Sequence, residues 1–136
     1  DDAPPIYAAQ PSGCAPIVAA HERGHDTIEP WESPDTIVGE LEIPEPNGGD
    51  AALDAIRSTA GGVVAVDDEE SLESAVLAAQ RVGVEVGPAG GVALAGAAAL
   101  ADDGVIGSDD EIVVLNPADG TKAADVLRSH LMGKGV

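Results

Sequence analysis

The sequence predicts an α/β fold in which a mostly parallel sheet lies between layers of helices, a three-layer α/β/α arrangement. Apolar runs of strand length alternate with helix-length segments, and the connections between them are short. Residues 90–101 contain no charged or polar side chain. A helix that is apolar on every side belongs in the interior of a layered protein, and this one is too short to span a membrane.

The first predicted pair of elements is a strand followed by a helix. Residues 6–10 form a largely apolar run that predicts a buried strand, and a Pro-Ser-Gly turn follows it. Residues 14–22 predict a helix, because Pro16 suits its first turn and Gly24 suits its end.

A second helix and strand come after a polar connection. Residues 36–43 alternate apolar and acidic side chains, which predicts either a half-exposed strand or an extended loop. Residues 50–60 predict a helix that Asp50 caps, and residues 63–66 predict the next strand.

The next helix has the clearest start signal in the chain. Asp67 and Glu70 have the spacing of a capping box, and Gly83 suits the helix end. The apolar stripe of this helix comprises Leu72, Ala75, Val76, Ala79 and Val82. A last helix is predicted between Thr121, which caps it, and Leu131.

Between these two helices, a glycine-rich helix start is followed by a strand. The helix begins at Gly87-Pro88-Ala89, and the N–H groups of its first turn attract an anion or an electron-rich ring. Residues 112–115 predict a strand that ends at Asn116-Pro117. Because open α/β sheets bind ligands at the carboxyl ends of their strands, both places are candidate ligand contacts.

The composition is strongly acidic. The 136 residues include 25 Asp and Glu against 6 Lys and Arg, for a net charge of −19. This balance argues against nucleic acid or an anionic membrane as a partner, because both require basic groups on the protein. An acidic surface, small aliphatic residues and the absence of Phe indicate a halophilic, haloarchaeal source. The single cysteine, Cys14, excludes an internal disulfide and fits a cytoplasmic protein.

We expect folding of this chain to depend on high ionic strength. At a net charge of −19, repulsion between carboxylates opposes the compact state, and molar salt reduces its range to about 3 Å. Circular dichroism across a KCl titration should show helicity and the melting midpoint rising with salt. Full helicity and an unchanged midpoint at ~0.1 M KCl would contradict a halophilic origin.

The side chains that could carry chemistry each fit a structural role better. His21 and His25 are four residues apart, but a predicted helix end separates them, so surface histidines are a better interpretation than a metal site. Cys14 fits a small buried residue better than a nucleophile, and Lys122 fits a surface charge better than a Schiff-base lysine. Solvated surface is also the better interpretation of two acidic runs, residues 67–70 and 109–111.

Four segments, taken in order, share motifs with one enzyme family. Residues 10–17, QPSGCAPI, match a segment that typically reads Q-x-x-G-C-A-P. Residues 64–70 are similar to a V-x-D-E-E segment, and residues 84–96 to a V-x-x-E-P-A-S-A-x-x-L-A-G block. Residues 112–125 resemble a terminal strand, glycine-containing loop and helix. Together, over residues 6–131, the chain resembles the carboxy-terminal third of threonine synthase, a fold type II pyridoxal-phosphate enzyme.

The resemblance implies conversion of O-phosphohomoserine and water to threonine and phosphate on pyridoxal phosphate. The family's Schiff-base lysine and phosphate-binding glycine loop lie upstream of the matched region. The chain, which begins at Asp1 rather than Met, is therefore expected to be a segment of a longer enzyme. Alone, it is expected to be inactive, and its expected partner is the missing N-terminal part of the same enzyme. The whole enzyme is expected to act on a small amino-acid substrate and to form a homodimer. Residues 1–136 are predicted to form a single α/β segment of that enzyme.

The resemblance also implies a set of cofactor contacts. In the family, one face of the pyridoxal-phosphate site is formed at the positions that correspond to Gly87, Pro88 and Ala89. A hydroxyl residue of the family contacts the pyridine nitrogen, and its position corresponds to Asn116 or Pro117. The sequence departs from the family pattern at two positions. Gly87 stands where Glu is common, and Pro117 has no side-chain donor for the ring.

Two alternatives for the ring contact and three for the function stay open. Thr121 is a second candidate donor, and a carboxylate such as Asp119 would instead favour a protonated pyridine and a different reaction. The alternative functions are a fragment of a threonine dehydratase, a fragment of a cysteine synthase, and a non-catalytic α/β module that binds a small molecule.

Overall fold

A computed structural model describes residues 3–133, and within that range the fold contains a two-stranded sheet, five α-helices and one 3-10 helix. The predicted chain start at Asp1 and the last lysine, Lys134, lie outside the described residues. The elements are β1 Tyr7–Pro11, α1 Pro16–Glu22, α2 Gly49–Ser58, β2 Gly62–Val66, α3 Asp68–Val82, α4 Pro88–Asp102, the 3-10 helix Gly120–Ala123 and α5 Ala124–Leu131. Two compact units divide at the end of β2, between Ala65 and Val66. The predicted α/β class is confirmed.

The first unit contains the sheet, in which β1 and β2 run parallel. The N–H of Gly62 donates to the carbonyl oxygen of Ile6 at 3.2 Å, and the N–H of Ile6 donates to the Thr59 hydroxyl at 3.0 Å. The prediction that β1 is buried was wrong, because most of its residues are half-exposed. The core of this unit comprises Cys14, Ala15, Val18, Ala20, Val38, Leu53 and Ile56.

The start of α1 is capped by a side chain from the preceding strand. The Oε1 atom of Gln10 accepts hydrogen bonds from the N–H groups of Ile17 and Val18, at 2.8 and 3.1 Å. The N–H of Cys14 instead closes a turn by donating to the carbonyl oxygen of Pro11 at 2.9 Å. The helix therefore begins two residues later than predicted, at Pro16.

One further expectation for the first unit needs correction, and one open alternative is decided. The N-cap of α2 is Gly48 rather than Asp50, and the Asp50 carboxylate accepts a hydrogen bond from the N–H of Ile28 at 2.9 Å. Of the two structures predicted for residues 36–43, the loop is found and the strand is not, and Val38 is buried within the loop. At Asp50 the hydrogen bond to the distant Ile28 thus overrides the local capping pattern.

In the second unit, α3 and α4 pack against each other. Asp67 and Glu70 form the predicted capping box, and Gly83 ends α3 in the left-handed conformation at φ 70°. Only the first half of the predicted apolar stripe is buried, since Leu72 is 1% exposed whereas Val82 is 71% exposed. Over residues 3–133, no helix is both long and apolar enough to cross a membrane.

The predicted strand at residues 112–115 is not formed. These residues have no regular secondary structure, and Val113 and Leu115 are 90% and 82% exposed. A strand depends on hydrogen bonds to a neighbouring strand, and β propensity alone does not supply one. Shortly after this segment, the chain makes an isolated antiparallel bridge between Val86 and Asp119.

Candidate functional site

The predicted ligand contacts come together at the start of α4, inside the second unit. The N–H of Gly87, the N-cap residue, donates to the carbonyl oxygen of Ala118 at 2.9 Å. The antiparallel bridge between Val86 and Asp119 extends this contact along the chain. Two segments that are far apart in the sequence, Gly87-Pro88-Ala89 and the loop that begins at Asn116-Pro117, therefore lie side by side.

The first turn of α4 offers hydrogen-bond donors without a side-chain cap. Pro88 occupies the first helical position, and Gly87 has no side chain that could accept from the next N–H groups. The N–H groups of Ala89 and Gly90 have no acceptor within the helix, because the helix begins too late to supply one. Both residues are buried, and the first turn contains no acidic side chain. The partial positive charge at this helix start is thus available to an anion or an electron-rich ring.

Asn116 lies directly over this helix start. Its side-chain oxygen, Oδ1, is so close to Gly90 that a Cβ atom at position 90 would collide with it. A glycine at this position therefore permits the approach of the Asn116 amide. Because Oδ1 faces the helix, the Nδ2 group remains as a donor. Its neighbour Pro117 is exposed and has no donor of its own.

Asp119 and Thr121 are engaged with each other. The Oδ1 atom of Asp119 accepts from the Thr121 hydroxyl at 2.6 Å and from the Thr121 N–H at 2.8 Å. These two hydrogen bonds lower the pKa of the Asp119 carboxyl. Asp119, not Thr121 as predicted, is therefore the cap of the helical segment that leads into α5. The Thr121 hydroxyl proton is used within this turn.

A buried serine on α3 holds the start of α4 in place. Ser71, on α3, has no exposed surface, and its hydroxyl donates to the carbonyl oxygen of Pro88 at 2.8 Å. Next to it, a Cβ atom at Gly91 would collide with the carbonyl oxygen of Ser71. Ser71 could not be recognised from the sequence, because a lone serine gives no motif. Gly91 is explained by helix packing, whereas Gly90 faces the Asn116 amide.

The remaining candidate side chains do not join this site. Cys14 is fully buried in the first unit, as predicted, and burial raises the pKa of its thiol. Lys122 is exposed and follows the Asp119 cap. In the first unit, Nδ1 of His25 lies 3.9 Å from a carboxylate oxygen of Glu29, whose other oxygen lies 3.6 Å from Arg23. Over the part of the chain that is described, no group of three or more His, Cys, Asp or Glu side chains has a metal-binding arrangement.

Comparisons with known proteins point to one family. Residues 1–118 match the family model described as "Pyridoxal-phosphate dependent enzyme". The threonine synthase of Methanocaldococcus jannaschii is 36% identical over 125 residues, which is 92% of this chain and 31% of that protein. The threonine synthase of Methanosarcina acetivorans is 36% identical over 115 residues, or 85% of this chain and 28% of that protein. The chain thus spans about a third of the length of the curated relatives it matches.

Solved structures share the fold. A maize serine racemase superposes with a TM-score of 0.63 at 24% identity, over 96% of this chain and 40% of that one. A threonine deaminase from the organism abbreviated T.th. superposes with a TM-score of 0.57 at 19% identity, over 80% of this chain and 41% of that one. At these identities the likeness concerns the fold alone.

Proposed function

The chain belongs to the family of pyridoxal-phosphate dependent enzymes, and on that premise we propose that it forms one face of the cofactor site in a threonine-synthase-like enzyme. The reaction of the whole enzyme is conversion of O-phosphohomoserine and water to threonine and phosphate. The similarity to the threonine synthases of Methanocaldococcus jannaschii and Methanosarcina acetivorans over most of this chain supports that choice. The observation that carries the site is the position of the Asn116 amide over the start of α4.

The residues at this site fit the ring of the cofactor. Pyridoxal phosphate, when bound, supplies an electron sink that stabilises negative charge on the substrate. The Nδ2 group of Asn116 would donate a hydrogen bond to the pyridine nitrogen, and Gly87, Pro88 and Ala89 would line the same face. An amide cannot give up a proton to the ring, so this contact favours the neutral pyridine. Asp119, the candidate for a protonated ring, is already bound to Thr121.

The surroundings of Asn116 keep the proposed contact in place. The Ser71 hydroxyl holds the carbonyl oxygen of Pro88, and the Gly87–Ala118 hydrogen bond holds the loop against the helix. A site built on a rigid helix start loses little entropy when the ring binds. We propose that the lysine that attaches the cofactor comes from the part of the enzyme outside the match, because Lys122 lies exposed beyond the Asp119 cap.

A chimeric enzyme tests the function. In it, this chain replaces the matching 125 residues of the Methanocaldococcus jannaschii threonine synthase. We expect the chimera to bind pyridoxal phosphate, seen by its absorbance, and to release phosphate from O-phosphohomoserine. The assay is run in molar KCl, because the net charge of −19 supports a halophilic, haloarchaeal source.

Other substrates decide between the reactions of this family. A chimera that binds the cofactor but dehydrates threonine or racemises serine, without releasing phosphate, would make the threonine-synthase assignment wrong. A folded chimera that binds no cofactor would favour a module that binds some other small molecule. That chimera would also contradict the proposed role of the α4 start.

Asn116 variants of the chimera test the contact itself. Asn116→Leu removes the donor, and we expect pyridoxal phosphate to bind about tenfold more weakly, the size of one hydrogen bond to a ring nitrogen. Asn116→Ser keeps a donor and should retain most of the affinity. The matched control is Asn47→Leu, the same substitution at an exposed residue of the first unit. Equal affinities for the Asn116→Leu and Asn47→Leu proteins would exclude the proposed ring contact.

A further inference from the structure

The first unit contains a cavity that shares no residue with the start of α4. Its volume is about 270 Å³, slightly below the range for pockets that hold drug-sized ligands, so it suits a smaller molecule. One wall is α1, which contributes Pro16, Ala19 and Ala20. The other wall belongs to residues 23–32, which follow α1 and are here called the return loop. The proposed cofactor contacts give no reason for this cavity.

Hydrogen bonds to the rest of the first unit hold the return loop in place. Arg57, on α2, donates to the carbonyl oxygen of His25 at 2.6 Å and to the carboxylate of Asp26 at 2.9 Å. Near the other end of the loop, the N–H of Trp31 donates to the carbonyl oxygen of Pro44 at 3.0 Å. The walls of the cavity are therefore fixed before a ligand binds, which lowers the entropy that binding costs.

Side chains of both charges line the cavity. One carboxylate oxygen of Glu29 lies 3.6 Å from a guanidinium nitrogen of Arg23, and the other lies 3.9 Å from Nδ1 of His25. Both distances are too long for hydrogen bonds, so Arg23 uses no donor on Glu29. Glu32 also lines the cavity, and it forms no ion pair within residues 3–133. The cavity thus offers guanidinium donors together with a carboxylate that a ligand can neutralise.

Trp31 adds an aromatic surface to the return loop. It is the only tryptophan of the chain, and it is half-exposed in the cavity wall. The face of an indole ring attracts an ammonium group more strongly than any other aromatic side chain does. Because Glu29 and Glu32 line the same cavity, their carboxylates add to this attraction.

We propose that this cavity binds a small zwitterion, a molecule with one ammonium group and one carboxylate group, of which a free amino acid is an example. The ammonium group contacts Trp31 and Glu32, and the carboxylate accepts hydrogen bonds from Arg23. The apolar part of the ligand packs on the small side chains of α1.

Ligands of a single charge are less suitable. A simple anion would meet two carboxylates in the cavity and the net charge of −19 on the whole chain. A simple cation would meet Arg23 and would leave its guanidinium donors without an acceptor. A zwitterion has no net charge and satisfies both kinds of side chain. This site goes beyond the proposed function and does not depend on the cofactor.

The fluorescence of Trp31 tests the proposal, because no other tryptophan contributes to the emission of the chain. L-valine is titrated into the chain in molar KCl, and we expect a dissociation constant on the order of 1 mM. Isobutylamine lacks the carboxylate of valine, and isovalerate lacks its ammonium group. Each should bind at least about tenfold more weakly than L-valine. Isobutylamine or isovalerate binding as tightly as L-valine would make the cavity a simple cation or anion site and overturn the proposal.

Two variants assign the two charges of the ligand. Arg23→Gln should weaken the binding of L-valine about tenfold without weakening that of isobutylamine, since isobutylamine has no carboxylate. Glu32→Gln should weaken the binding of L-valine but not that of isovalerate. The matched controls are Arg81→Gln and Glu40→Gln, at exposed residues outside the cavity. Circular dichroism checks that each variant folds. Folded variants that lose affinity for all three probes alike would contradict the assigned contacts.

Equilibrium dialysis with labelled L-valine measures binding independently of the emission. By this method Trp31→Leu should bind L-valine about fivefold more weakly, as expected for the loss of a cation–π contact. No retention of L-valine by the unchanged chain would overturn the proposal.

Glycine betaine, a zwitterion with a fully methylated ammonium group, distinguishes two sources of the ligand. Binding as tight as that of L-valine would identify an osmolyte, and weaker binding a free amino acid; both outcomes support a zwitterion site. These measurements contain no pyridoxal phosphate. A chimera that binds no cofactor would therefore reject the proposed function and leave the zwitterion site intact.

Discussion

Replacing Gly91 with Ala is expected to destabilise the second unit by about 3 kcal/mol, the upper end of the usual cost of overpacking. The added Cβ would collide with the carbonyl oxygen of Ser71, a backbone atom that cannot rotate away, and would lie 3.2 Å from the Cβ of Ala75. The sign of this change in unfolding free energy is informative, because Ala in a helix interior normally stabilises the helix by about 1 kcal/mol relative to Gly. Urea unfolding in molar KCl, followed by circular dichroism, measures the change in the free energy of unfolding.

The matched control for this substitution is Gly39→Ala. No atom lies within 4 Å of the position that a Cβ at Gly39 would take. We expect the free energy of unfolding to change by less than about 0.5 kcal/mol, the range for surface substitutions away from special features. A Gly91→Ala protein as stable as the Gly39→Ala protein would show that α3 and α4 do not approach so closely.

Leu72→Ala is expected to cost about 3 kcal/mol of unfolding free energy, within the range for buried leucines. Leu72 is 1% exposed on α3, next to Ser71, and its truncation leaves a cavity in the packing that supports the α4 start. Since Ser71 holds the carbonyl oxygen of Pro88, loosening α3 should also weaken cofactor binding in the chimera. Denaturant unfolding of the chain and cofactor titration of the chimera measure the two effects.

Leu77→Ala provides the comparison on the same helix. Leu77 is 47% exposed, so the same chemical change removes less buried surface and should cost no more than about 1 kcal/mol. If both variants lost the same stability, the burial of Leu72 in the second unit would be wrong. If Leu72→Ala lost stability but kept full cofactor affinity, α3 would not support the proposed site.

Local signals in the sequence predicted the individual helices well. The capping box of Asp67 and Glu70, the left-handed Gly83 and the first-turn Pro88 all occur where the sequence places them. Each of these features depends on atoms within four residues of one another, so no distant contact is needed to form it. The predicted caps at Asp50 and Thr121 were wrong because other groups compete for the same hydrogen bonds. Asp50 accepts from the distant Ile28, and Thr121 donates to Asp119.

The sequence motifs also identified the segments of the candidate site, but not its chemistry. They singled out Gly87-Pro88-Ala89 and Asn116-Pro117, and left the ring contact open among several residues. The hydrogen bonds between Asp119 and Thr121 favour Asn116 among these candidates. The supporting role of Ser71 could not be predicted, because one buried hydroxyl becomes visible only when α3 lies against α4.

The sequence by itself determined the α/β class, the acidic surface, most helix boundaries and the family resemblance, because these depend on composition and short-range chemistry. Only the tertiary structure decided that Asn116 lies over Gly90, that Gly91 serves helix packing, and that residues 112–115 form no strand within this chain. Close approach is a property of two segments at once, and a strand requires a partner for its backbone. A pattern in one segment carries no information about whether its partner is present.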